Sequence, residues 1–202
     1  MHWVRNSVII LVLLFAGGAA WYGMQDPASQ LPVNTRLGGD FTLTDQNGER
    51  FHSNSLDGKV VLLFFGFTSC PDICPATLAR VTQARRMLAE EGYADDVQVV
   101  FITFDPARDT PEHLNKYLSF FGDAVIGLTG TEEEIAKVAE QFGVVYLKTP
   151  SASGDGSDGA DAGYDFSHSD FVYLLDTQGR VRKLFQNDED IDLMVKDART
   201  LL

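Results

Sequence analysis

The sequence predicts an α/β fold in which one largely buried sheet carries helices, with a short hairpin in front of it. Three observations predict this. The apolar run Val60 to Phe65 is rich in β-branched and aromatic residues and too short for a typical helix, so it reads as a strand buried on both faces. A second such run, Val97 to Phe104, follows a segment with helical spacing, which makes a strand–helix–strand unit. A later hairpin and a terminal helix close the chain, and its only two cysteines stand at the first strand-to-helix junction. That order is thioredoxin-like in outline. The 202 residues, 45% of them hydrophobic, suffice for one packed domain and a leader, and no internal repeat or second domain is evident.

At the N-terminus, Arg5 precedes an apolar run from Val8 to Gly23, near the lower limit for a bilayer span. Trp3 lies before it, and Trp21 and Tyr22 lie at its end, which suits two membrane interfaces. The small residues Ala16 to Ala20 also fit a signal-peptidase site. No cysteine lies there, which excludes a lipid anchor on an N-terminal cysteine. Both surviving readings export the domain, and the favoured one is an uncleaved single-pass transmembrane helix with Arg5 in the cytoplasm. Residues 1–24 are therefore expected to be anchor or signal, 25–35 a proline-containing tether, and 36–202 the domain.

Asp40 to His52 alternates Phe41 and Leu43, then carries Asn47-Gly48 before Phe51, a strong hairpin signal. After the buried strand comes Thr68-Ser69-Cys70-Pro71-Asp72-Ile73-Cys74-Pro75. Each cysteine precedes a proline, which disfavours helical backbone, so both are expected on extended, loop-like backbone. Pro75 suits the first position of a helix running to about Glu91, with Leu78, Val81, Ala84 and Leu88 on its buried stripe. Cys74 then lies at or beside a helix N-terminus, where the dipole favours a thiolate. It is expected to be the more acidic thiol, with exposure of the loop at Cys70 acting the other way.

Asp105-Pro106 ends the second strand. Asp109-Thr110-Pro111-Glu112 opens a helix with a capping residue, a proline in the first turn and an acid near the positive dipole end. Val125 to Leu128 reads as a short strand, and Thr131 with Glu134 as a capping box for a helix ending at Phe142. Val144 to Leu147 reads as extended. Ser151 to Gly163 is mostly Ser, Gly, Asp and Ala, which cannot bury apolar surface and is expected to be a mobile loop. Asp155, Asp158 and Asp161 within it do not have the spacing of an EF-hand loop. Phe171 to Leu175 and Val181 to Phe185 flank a turn at Asp176-Thr177-Gln178-Gly179, and a last helix from about Asp188 is expected to bury Ile191, Met194, Val195 and Leu202.

The formal net charge of −13 excludes nucleic acid as an expected partner. Two cysteines do not make a disulfide framework. Two thiols at the end of a buried strand suit redox chemistry or a soft metal. Of the four histidines, His2 precedes the apolar run, while His52 and His113 have solvated or capping roles by default. His168 differs, because it precedes a core strand and follows the Gly/Asp-rich stretch, at the rim of the fold. Two thiolates and one imidazole would make a soft site; zinc in a structural role wants a fourth protein ligand that is not evident, so copper fits better. Met1, Met24, Met87 and Met194 all lie away from the cysteines in sequence.

Gly66 to Pro75, then Phe104-Asp105-Pro106-Ala107-Arg108-Asp109-Thr110-Pro111-Glu112, then Ser167-His168-Ser169 before Val172 to Asp176, together resemble the SCO/SenC family. The resemblance runs from about Leu37 to the C-terminus. It implies a thioredoxin-like fold, with copper, Cu(I) or Cu(II), held by Cys70, Cys74 and His168. It also implies a membrane-anchored metallochaperone that helps assemble the dinuclear copper A centre of cytochrome c oxidase subunit II. The domain would face the periplasm or extracytoplasmic side of a bacterial-type inner membrane, with another copper chaperone or a thioredoxin-like reductant as further partners. The alternative is a thiol-disulfide oxidoreductase acting on the oxidase cysteines through Cys70 and Cys74, without need of His168. Where the family carries Asp before the ligand histidine this chain has Ser167, so the acceptor orienting the imidazole is expected from Asp165 or Asp170.

Overall fold

A computed structural model of the protein describes residues 31–150, 164–186 and 188–202. The apolar run at 8–23 and the Ser/Gly/Asp-rich stretch at 151–163 lie outside the described residues. Among the described residues no helix is long and apolar enough to cross a membrane.

Residues 33–202 form one compact unit. Its elements are β1 (Thr42–Asp45), β2 (Arg50–His52), β3 (Val60–Gly66), α1 (Ile73–Leu88), β4 (Val97–Thr103), α2 (Pro111–Leu118), β5 (Val125–Thr129) and α3 (Glu132–Phe142). They continue as β6 (Tyr146–Pro150), β7 (Tyr164–His168), β8 (Val172–Leu175), β9 (Val181–Phe185) and α4 (Ile191–Arg199). Seven strands form one sheet in the order β2-β1-β5-β4-β3-β8-β9, while β6 and β7 pair with each other as a separate ribbon.

Every residue of β3 is buried, as its unbroken apolar run requires. It runs parallel to β4 and antiparallel to β8. Alternation sends Phe64 to one face, against Phe101 with ring centroids 5.0 Å apart, and Phe65 to the other, against Phe142 and Tyr173. α1 and α4 pack on each other. The expected hairpin closes through Asp45, whose carboxylate accepts from the N–H groups of Asn47 and Glu49, with Gly48 at φ 82°. The Thr131–Glu134 capping box forms in both directions, and Thr110 caps α2 by accepting from the N–H of His113.

Three details differ from expectation. α1 starts at Ile73, so Cys74 lies within its first turn instead of on extended backbone before it. The proline tolerates this because the first helical N–H groups have no intrahelical partner, and Pro75 gives up nothing there. α4 starts at Ile191 and stops at Arg199. Ile191 is therefore only half-buried and Leu202 is exposed, and the buried apolar position falls to Leu201. Finally, Tyr164–His168 is a strand, so His168 ends a ribbon with regular pairing to Tyr146.

Candidate metal centre

The site forms where β3 ends. Gly66 occupies a position that tolerates no side chain: a Cβ there would stand 2.9 Å from Cys74 Sγ, 2.9 Å from Phe101 and 3.0 Å from Phe64. Its lack of a side chain lets the Cys74 sulfur lie against the strand. Cys74 is 1% exposed and Cys70 is half-buried, and both are free thiols.

The loop between strand and helix is fastened from beneath by Asp109. This fully buried carboxylate accepts from the backbone N–H of Thr68 at 3.0 Å and from the hydroxyls of Thr68 and Thr103. Thr103 Oγ1 in turn accepts from the N–H of Asp105 at 2.9 Å. The Phe104 N–H reaches back to the Gly66 carbonyl, which ties the end of β4 to the end of β3.

The ribbon carries the third residue. β7 alternates Tyr164, Phe166 and His168 on one side. Phe166 packs on Phe67 and Phe104 with centroids 5.3 and 5.0 Å away, and the His168 ring lies 4.8 Å from Phe104. This places His168 Nε2 4.0 Å from Cys74 Sγ. The other ring nitrogen, Nδ1, faces the Ser169 carbonyl at 2.9 Å. A carbonyl only accepts, so Nδ1 carries the proton and Nε2 presents its lone pair towards the sulfur. The Ser169 backbone therefore takes the orienting role expected of Asp165 or Asp170, while the Asp165 carboxylate accepts from the Phe166 N–H.

The two sulfurs differ in the order opposite to the one expected. The Cys74 thiol beside Cys70 pulls the Cys70 thiol down to about 5, against the cost of partial burial, with the N–H groups of Cys74, Asp72 and Ile73 helping. The same contact and deep burial push Cys74 far up, and the buried Asp109 carboxylate adds to this. The contact with Cys70, together with burial, thus overrides the helix start.

Cys74 is accordingly brought beside both Cys70 and His168. With metal–sulfur and metal–nitrogen bonds of about 2.3 and 2.0 Å, donors sharing one ion lie roughly 3.5–3.7 Å apart. The Cys74–His168 separation needs only a slight closure to meet this. Among the described residues, no group of three or more His, Cys, Asp or Glu side chains could hold a metal ion as it stands. His52 instead meets the Thr42 hydroxyl, and the His113 N–H is taken by the cap of α2; His2 lies outside the described residues. Sequence reasoning missed Asp109, which reads as part of a helix start, and Tyr164, whose alternation with Phe166 and His168 was the available signal.

A family model described as SCO1/SenC matches residues 29–202. The chain belongs to the SCO1/SenC family. An SCO2-like protein of Rickettsia conorii is 40% identical over 203 residues, spanning 96% of this chain and 95% of its own length. The structure of Bradyrhizobium japonicum ScoI, solved with copper bound, is 38% identical with a TM-score of 0.71, covering 82% of this chain and 99% of that one. BsSco, a member of the Sco family of cytochrome c oxidase assembly proteins in which a disulfide switch was identified, is 27% identical with a TM-score of 0.62. That match covers 84% of this chain and 96% of BsSco. The thioredoxin-like α/β architecture of this SCO1/SenC chain is thus the one its solved relatives share.

Proposed function

We propose that this SCO1/SenC chain carries copper on Cys70, Cys74 and His168 and delivers it during cytochrome c oxidase assembly, to the dinuclear copper A centre of subunit II. The observation that carries the reading is the 4.0 Å approach of His168 Nε2 to Cys74 Sγ, with Nδ1 committed to a carbonyl so that the facing nitrogen is a donor to a metal. Two sulfurs and an imidazole form a soft set suited to copper. ScoI of Bradyrhizobium japonicum holds copper, which supports the same cargo here. The chain would act outside the cytoplasm on a bacterial-type inner membrane, tethered through residues 1–24. The test is titration of the reduced domain with copper. One equivalent should bind, and His168→Ala should weaken binding without abolishing it. Stoichiometric binding that survives both Cys70→Ala and His168→Ala at wild-type affinity would rule the site out.

A second reading, thiol-disulfide exchange on the oxidase cysteines, has its own support. Cys70 is half-exposed and lowered to about 5, which suits an attacking thiolate, and Cys74 beside it is the resolving thiol. This reading requires both cysteines and not His168. Assembly retained in His168→Ala and lost on either cysteine replacement selects it.

A further inference from the structure

Among the described residues, the β6–β7 ribbon shares no strand pairing with the main sheet. A lone two-stranded ribbon is marginal in water, so side chains must hold it over the cysteine loop. At its outer end Tyr164 is gripped from several directions. Its hydroxyl donates to Asp105 Oδ1 at 2.7 Å. Two cations lie over its ring: the Arg108 guanidinium carbon at 3.9 Å and Lys148 Nζ at 3.5 Å from the centroid. Arg108 Nη1 also donates to the Tyr164 carbonyl at 3.1 Å, while its Nε pairs with the second oxygen of Asp105. The same guanidinium stands 5.8 Å from the centre of the Phe67 ring, three residues before Cys70. Arg108 therefore touches both the ribbon that ends in His168 and the support of the cysteine loop.

We propose that Tyr164, clamped by Arg108 and Asp105, is a positioning residue that sets where His168 stands over Cys74. Tyr164 and His168 lie on one side of one short strand, so anchoring the first limits how far the second can lift. The consequence for metal release rests on the copper reading; the placement of the strand does not.

The test compares Tyr164→Leu, Tyr164→Phe and Arg108→Gln in the full chain. The metal-free protein is read by amide hydrogen exchange, and the copper-loaded protein by the rate of copper loss to a chelator. Tyr164→Phe removes the hydroxyl's hydrogen bond to the Asp105 carboxylate and should speed exchange at Phe166 to Ser169 by about tenfold, and copper loss by a similar factor. Tyr164→Leu also removes the ring under the cations and should give a larger increase, about thirtyfold. Arg108→Gln should reproduce the leucine variant. Exchange in β3 and β4 should stay within about twofold of wild type, since their protection reports the whole core. Ribbon exchange unchanged in Tyr164→Leu and Arg108→Gln overturns the proposal, as does an increase spread equally over β3 and β4. A wild-type protein that takes up no copper sinks the copper reading instead, and the exchange comparison still decides the clamp.

Discussion

Replacing Asp109 tests how the cysteine loop is held. The carboxylate is 0% exposed, and among the described residues no Lys or Arg pairs with it. Its stability comes from three donors: the Thr68 N–H and the hydroxyls of Thr68 and Thr103. Asp109→Ala leaves all three facing a void. Each buried unsatisfied donor costs about 1–3 kcal/mol, and with partial relief by rotating hydroxyls the loss should be about 3–6 kcal/mol. Asp109→Asn behaves differently. Its amide oxygen can serve the Thr68 N–H and Thr103, and its NH₂ can donate to Thr68 once that hydroxyl turns, so the loss should be about 1 kcal/mol. Urea unfolding of the reduced, metal-free domain measures both, with the slope checked for constancy. In a domain of this size, the alanine variant should melt roughly 10 °C lower. An alanine variant within about 1 kcal/mol of wild type would refute the reasoning. So would an asparagine variant as unstable as alanine, because that would mean the buried charge, and not the donor set, holds the loop.

Gly66→Ala should destabilise the domain by about 1–3 kcal/mol, because the new methyl meets Cys74 Sγ and Phe101 at 2.9 Å; thermal melts with copper titration should show stability and affinity falling together. Iodoacetamide should modify Cys70 well before Cys74 in the reduced protein, with a rate that inflects near the pH of about 5 to which Cys70 is lowered. Because the folded Cys70 ionises below its ordinary value of 9.0, it contributes stability that is full above about 9 and lost as pH falls to about 5. Cys70→Ser should therefore flatten the rise in stability across that window, as measured by denaturant midpoints. Thr131→Ala removes the cap of α3, whose side chain accepts from the Glu134 N–H at 3.1 Å, and should cost about 1 kcal/mol by the same measurement.

The parts of the fold legible in the sequence are those set by local rules. β3 announces itself by an unbroken apolar run, α3 by a capping box, and the first hairpin by Asn47-Gly48, because each signal lies within a few residues of what it specifies. The importance of Cys70, Cys74 and His168 was also legible, since the cysteine loop and the segment around His168 resemble SCO/SenC motifs even with Ser167 where the family carries Asp. What was hidden depends on partners distant in sequence. Strand β7 is defined by pairing with β6 across the stretch 151–163. Asp109 looks like a helix start until Thr68, 41 residues earlier, folds onto it. The orienting acceptor for His168 is a backbone carbonyl, which no side-chain pattern can reveal.

The acidity order of the cysteines was the least legible feature, and it carries the sharpest consequence for the metal. A helix N-terminus lowers the energy of an anion by about 0.3–1 kcal/mol, whereas full burial can move an ionisable group by several pKa units. Cys74 stands in both fields, and burial with the shared proton prevails. At neutral pH the pair then exists as one thiolate and one thiol, the proton resting on the buried sulfur. A metal that binds both sulfurs must displace that proton, so copper loading near neutral pH should release about one proton from the pair, not two. Calorimetric titrations in buffers of different ionisation enthalpy count protons directly. Release of about two near pH 7 would mean that both thiols are still protonated before the metal arrives, and the acidity order would be wrong. Release of about one that persists in Cys70→Ala would locate the displaced proton on the sulfur packed beneath His168, whereas Cys74→Ala removes the contact that lowers Cys70 and should also release about one.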